Sequence, residues 1–170
     1  MEINLKLEQS ELNEEIKYRN LIGALLYISS GTTPNVFFSV NYLSRFQNCC
    51  SETHFKYLLR VLKYLYLTRN LKLTYTQNET DLMDCFVDAD WAGDIVDRKS
   101  TTGFVIRVYG NTIYWKSKKQ KVHYHFVHEN CKNGTIEIIK VNSEENIADI
   151  FTKALGNIKF AKFRSSLMLL

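Results

Sequence analysis

From Tyr18 onward, apolar side chains recur at helical spacing. Leu21, Ile22, Leu25, Leu26 and Ser29 follow a three-four pattern that predicts a helix with one buried stripe, ended at Gly31. Thr33 before Pro34 reads as a cap followed by a first turn, because proline lacks the amide hydrogen that a first turn leaves unused. A second helix is expected to run to about Phe46, with Val36, Phe37, Val40 and Leu43 on its apolar face. Ser51 is placed to cap a third, in which Phe55, Leu58, Leu59, Leu62, Leu65 and Tyr66 line one side. Lys56, Arg60 and Lys63 repeat on another side of that helix, a solvent-facing stripe that in a nucleic-acid enzyme would meet a phosphate backbone.

After Asn70 the period shortens. Leu71, Leu73 and Tyr75 alternate with polar neighbours, and Leu82 to Val87, Gly103 to Tyr109 and Thr112 to Trp115 read as strands. Gly110-Asn111 lies between the last two and predicts a tight hairpin, since both residues tolerate positive φ. Farther on, Tyr124 to Cys131 reads as helical, Ile136 to Val141 as a strand, and Ser143-Glu144-Glu145-Asn146 as the opening of another helix. The expected fold class is α/β (mixed), with an N-terminal helical segment before a sheet with flanking helices. Polar residues around Asn78 suggest the boundary: a flexible leading segment at 1–17, a helical region at 18–78 and a mixed region at 79–170.

Composition agrees with a packed protein. Hydrophobic residues make up 45% of the 170 positions and there is one proline, which excludes a disordered chain. A net charge of +4 is compatible with a polyanionic partner and falls short of a dedicated nucleic-acid tail. The charge is concentrated, with Lys116, Lys118, Lys119 and Lys121 in one short segment that reads as a solvated basic loop or a phosphate contact. Cys49, Cys50, Cys85 and Cys131 form no C-x-x-C pair and read as free thiols in a reducing compartment. No apolar core follows Met1 and no run of about eighteen apolar residues occurs, so the expectation is an intracellular, unsecreted protein without a membrane span.

The strongest local chemistry is Cys85-Phe86-Val87-Asp88-Ala89-Asp90-Trp91-Ala92-Gly93-Asp94, an apolar strand ending in carboxylates. Acids two residues apart on a strand project from one face, where they can share a divalent cation or simply cap a strand end. A calcium loop is excluded, because Ala92 and Lys99 stand where oxygen ligands are required. A second cluster, His123, His125 and His128 with Cys131, has helical spacing that would permit a zinc site.

Phe86-Val87-Asp88-Ala89-Asp90-Trp91-Ala92-Gly93, followed by Asp97-Arg98-Lys99-Ser100-Thr101-Thr102-Gly103-Phe104, resembles the first two strands of the ribonuclease H domain in copia-type retrotransposon Pol polyproteins. Trp115-Lys116-Ser117-Lys118-Lys119-Gln120-Lys121 resembles the third strand and its exit. Tyr124-His125-Phe126 and Ala148-Asp149-Ile150-Phe151-Thr152-Lys153-Ala154-Leu155 resemble the closing part of that domain. Upstream, Tyr18-Arg19-Asn20-Leu21-Ile22-Gly23-Ala24-Leu25-Leu26-Tyr27-Ile28, Thr33-Pro34 and Arg60-Val61-Leu62-Lys63-Tyr64-Leu65 resemble the helical tail that follows the reverse transcriptase catalytic region.

The resemblance implies a ribonuclease H-like sheet and a domain that cleaves the RNA of an RNA–DNA hybrid with four acids and two magnesium ions. Asp88 matches the first acid and Asp149 the last; Asp90 is a neighbour. The chain departs from the family pattern between Lys121 and Val122, where it passes directly from the third strand to the late Tyr-His-Phe segment. The block that carries a glutamate helix, a fourth strand with an acid and the next helix is absent, and with it the second and third catalytic acids. Glu129, Glu137, Glu144 and Glu145 are the nearest carboxylates that would have to substitute. The polymerase aspartates of the family would lie upstream of residue 1.

The expectation is therefore an inactive remnant: Asp88 and Asp149 as residual magnesium ligands, and weak binding of RNA–DNA hybrid or other nucleic acid through Lys56, Arg60, Lys63, Lys116, Lys118, Lys119 and Lys121. The loss is also expected to bare apolar sheet surface. Two other readings are an active ribonuclease H, if the junction is a gene-model error, and a co-opted interaction module.

Overall fold

The computed structural model describes residues 17–77, 82–90, 100–119 and 137–170. Helix α1, Tyr18–Gly31, buries Tyr18, Ile22, Leu25 and Ser29, with Leu21 and Leu26 of the predicted stripe half-buried at its edges. The Tyr18 hydroxyl donates to the Leu43 carbonyl at 2.8 Å, which ties α1 to α2, Phe37–Ser44. Burial pushes the Tyr18 phenol well above its ordinary pKa, with Cys50 and Cys49 adding to the effect. Thr33 and Pro34 stand at the expected cap and first-turn positions, but the Thr33 side chain makes no cap bond. Its hydroxyl donates back to Ile28 O at 3.2 Å, and the chain enters α2 through a 3-10 turn at Pro34–Val36.

Helix α3, Glu52–Leu67, starts as expected at Ser51, whose amide donates to His54 Nδ1 at 3.0 Å in a capping box with histidine in the usual glutamate place. Its buried side overlaps the predicted one in Leu58, with Phe55 and Leu65 half-buried beside it, and is otherwise shifted. His54, Leu58 and Val61 face α1 and α2, whereas Leu59 and Leu62 are exposed and Tyr66 is 65% exposed. Apolar residues occupy more than one side of this helix, so periodicity alone does not choose between them. Tyr18, Ile22, Leu25, Val40, Leu43, Phe46 and Leu58 form the core of the three-helix region.

Strands β1 (Met83–Asp90), β2 (Thr101–Val108) and β3 (Asn111–Lys119) form an antiparallel sheet in the order β1-β2-β3. The hairpin between β2 and β3 turns one residue earlier than predicted, at Tyr109 and Gly110, with φ of 48° and 74°. Asn111 is drawn into the strand because its carboxamide has other partners. It accepts from Thr76 N at 2.7 Å and donates to Thr76 O at 2.8 Å, fastening the extended segment 71–77 to the sheet.

Residues 137–141 do not form the predicted strand; they are exposed and irregular, and Ile136 lies outside the described residues. The next helix is a 3-10 turn, Ile147–Phe151, capped by Asn146 and not by Ser143. The Asn146 side chain accepts from Ala148 N at 3.1 Å and donates to Val87 O at 2.9 Å, so the cap also pins the turn to β1. Gly103 permits that approach: a Cβ there would stand 2.6 Å from Phe151 Cβ. Helix α4, Asn157–Ser166, comes next, and the chain end returns to residues 72–74 through a bridge between Leu73 and Leu169.

A second core joins Val105 and Trp115 of the sheet to Ile147, Ile150, Phe151, Phe163 and Leu167, and takes in Phe37 from α2. The helical region and the sheet are further linked by Trp115 Nε1, which donates to Ser29 O at 2.9 Å, and by Arg45, which donates to Thr101 Oγ1 at 3.3 Å.

Candidate functional site

In β1, Asp88 pairs with Gly103 and Asp90 with Thr101, so both acids share the covered face of the sheet, as their two-residue spacing requires. Asp149 sits in the 3-10 turn above them with its side chain 1% exposed. The fold thus brings together the two acids assigned from the resemblance. Between them lies a lysine. Lys153 Nζ is 3.1 Å from Asp149 Oδ2 and 3.7 Å from Asp88 Oδ2. Lys159 Nζ approaches the same Asp149 oxygen at 3.0 Å and reaches Glu144 Oε1 at 3.2 Å. The Thr152 hydroxyl donates to Asp88 Oδ2 at 2.5 Å and lies 3.1 Å from Asp149 O.

Two ammonium groups on one buried carboxylate oxygen compensate a charge whose burial would otherwise be costly. Burial alone would lower the pKa of Lys159, but the hydrogen bonds and charges of Asp149 and Glu144 outweigh it and raise the value. The described residues hold no cluster of three or more His, Cys, Asp or Glu side chains suited to a metal, and the cationic place between the two acids is filled by Lys153. Lys153 was legible as the residue four positions after Asp149 on a helical turn. Lys159 and Thr152 carried no such signal.

The predicted basic residues fall into separate groups. Lys56, Arg60 and Lys63 are exposed on α3. Arg60 also lines a cavity of about 220 Å³ between α2, α3 and the C-terminal segment, and Lys153 lines it from the opposite side. The segment from Trp115 is strand and not loop through Lys119, so its lysines alternate. Lys116 and Lys118 pair with Phe104 and Thr102 on the outer face, while Lys119 pairs with Thr101 on the covered face. Lys121, Glu129 and the cluster of His123, His125, His128 and Cys131 lie outside the described residues. Glu137, Glu144 and Glu145 are exposed, and of these Glu144 meets Lys159. Cys49, Cys50 and Cys85 are free thiols, and no described helix is long and apolar enough to cross a membrane.

No protein-family model matches the chain, and no solved structure matches it. Curated proteins do. The Retrovirus-related Pol polyprotein from transposon RE1 of Arabidopsis thaliana is 24% identical over 93% of this chain, which spans 15% of that protein's length. The corresponding polyprotein from transposon TNT 1-94 of Nicotiana tabacum is 33% identical over 63% of the chain and 8% of its own length. The Secreted RxLR effector protein 161 of Plasmopara viticola is 36% identical over 64% of this chain and 76% of its own length. The RE1 match runs over 223 aligned positions against a chain of 170, so at least 53 residues of that relative have no counterpart here. With transposon Pol polyproteins matching 93% and 63% of the chain, the protein belongs to the copia-type retrotransposon Pol polyprotein family.

Proposed function

We propose that this chain is a non-catalytic remnant of the ribonuclease H region of such a polyprotein, retaining weak affinity for RNA–DNA hybrid. The observation that carries the reading is the ammonium of Lys153 between Asp88 and Asp149, with Lys159 on the same Asp149 oxygen. Hydrolysis with two metals needs acids that bridge and flank both ions and leave a position open for water. Here the two acids neutralise lysines, and their role is to fasten the 3-10 turn to the sheet. The exposed Lys56, Arg60 and Lys63 supply a cationic stripe for a phosphate backbone, whose affinity falls steeply with salt because binding releases counterions.

The test is incubation of the purified protein with a labelled RNA–DNA hybrid and magnesium. The hybrid is expected to stay intact, and to be retarded at low salt only. Metal-dependent cleavage that disappears in Asp88→Asn would overturn the inactive reading, and tight binding insensitive to salt would overturn the electrostatic one. A second reading, a co-opted interaction module, is favoured by one observation: the match covering 76% of a relative whose name describes a secreted effector. A preserved hybrid together with no nucleic-acid retention at any salt would favour it.

A further inference from the structure

The outer face of the sheet carries a second pattern that the acid site does not use. Met83, Cys85 and Val87 of β1, Phe104 and Ile106 of β2 and Tyr114, Lys116 and Lys118 of β3 project to this side, by their register opposite one another. Val87 is 56% and Tyr114 47% exposed, and Cys85 is exposed. The rings of Phe104 and Tyr114 lie side by side with centroids 5.7 Å apart. Lys116 stands directly across from Phe104, and Lys118 one pleat farther on. Among the described strand residues of this face there is no carboxylate: Asp84, Asp88 and Asp90 all project to the other side, where Asp84 is held by Arg107 at 2.6 Å.

We infer that this face is a platform for single-stranded nucleic acid, with bases stacked on Tyr114 and Phe104 and the backbone tracked by Lys116 and Lys118. The proposal rests on the nucleic-acid-binding half of the proposed function and names a different site and substrate class within it. Three features carry it. The exposed sheet face offers the rings of Phe104 and Tyr114, inclined by 47° to one another, each to a separate base, and every base has a face to stack. Tyr114, Lys116 and Lys118 recur every second residue, a step of about 6.7 Å, which suits one nucleotide of an unstacked strand. The cationic and apolar surface, free of described strand carboxylates, complements a polyanion with apolar rings. A duplex keeps its bases stacked on one another and cannot use the platform, so this face discriminates against hybrid.

The experiment uses the full chain and two fluorescein-labelled probes, an oligouridylate twelve nucleotides long and an RNA–DNA hybrid of the same length, read by anisotropy at low salt. Tyr114→Ser is expected to weaken single-strand binding about tenfold, a step within the range for losing one stacked base, and to leave hybrid binding unchanged. Circular dichroism melting confirms that this exposed position has not cost the fold. An independent readout needs no variant: the oligouridylate should slow iodoacetamide labelling of Cys85, which shares the platform, and not that of half-buried Cys49. Single-strand binding that survives Tyr114→Ser and leaves Cys85 fully reactive overturns the proposal. Hybrid binding without single-strand binding also overturns it and spares the earlier reading; absence of both removes the two together.

Discussion

The two faces of the three-stranded sheet are made by the same strands and have opposite fates. On one, Val105 is fully buried and Trp115 is 6% exposed, covered by the turn Ile147–Phe151, α4 and the edge of α2. On the other, Val87 and Tyr114 stand half in solvent with no described element over them. The covered face retains its apolar contacts, its glycine notch at Gly103 and its paired acids. The difference teaches that, among the described residues, one layer of packing is complete while the opposite side of the same strands has none. The sheet's contribution to stability then resides in its covered face, beside the separate core of the helical region.

The sharpest way to break that contrast is Phe151→Ala. Phe151 is wholly buried against Gly103 and the sheet, so its truncation removes a large side chain and leaves a cavity. A loss of about 4 kcal/mol is expected in urea denaturation, enough to unfold much of a marginal domain. A loss under 1 kcal/mol would show that the 3-10 turn is not packed there and that the faces are equivalent.

How much of this was legible in the sequence depends on the range of each interaction. The helices α1 and α3 start where local signals put them, because a stripe or a cap is written within a few residues. The buried side of α3 was legible only in part: Leu58 is buried as read and Phe55 and Leu65 pack beside it, but His54 and Val61 are buried where Leu59 and Leu62 were expected, and only the positions of α1 and α2 decide that. Ile138, Ile139 and Val141 read as strand for want of a test for partners; a strand exists only beside another, and residues 137–141 have none among the described strands. The acid site was legible only through resemblance, because no periodicity connects Asp88 to Asp149. Its lysines show the limit of that route: the motif supplies the acids, while the cation between them comes from the packing of Lys153 and Lys159.

A smaller effect is expected at the acid pair, on the same covered face. Asp149→Asn leaves Lys153 with Asp88 and Lys159 with Glu144, so part of the compensation survives, and a loss of about 2 kcal/mol is expected, below the full cost of stripping a buried pair. Lys159 gives this cluster a pH dependence at the alkaline end. Its pKa is raised in the folded state, so its contribution is complete below the unfolded value of about 10.4 and is lost as pH rises through the higher folded value. The stability gap between the parent protein and Lys159→Gln should therefore be level from about pH 7 to 9 and close above about pH 10.4. A gap that opens with rising pH would reverse the assignment of Lys159 as the partner of Asp149.

The smallest effect belongs to the uncovered face, and it sharpens the comparison because the expected answer is almost nothing. Val87 neighbours Asp88 in the same strand but projects to the opposite side, and it is 56% exposed. Val87→Ser gives up some strand propensity and little burial, so the change in denaturation midpoint should correspond to less than about 0.5 kcal/mol. Removing an apolar side chain from a bare face should at the same time reduce self-association, read as a lower sedimentation coefficient or less light scattering at equal concentration. Two residues adjacent in the chain, Val87 and Asp88, would then differ in what they do because the pleat assigns them to faces with different cover. A loss of about 2 kcal/mol or more at Val87 would mean that the outer face is packed in solution, and the asymmetry between the faces would fall with it.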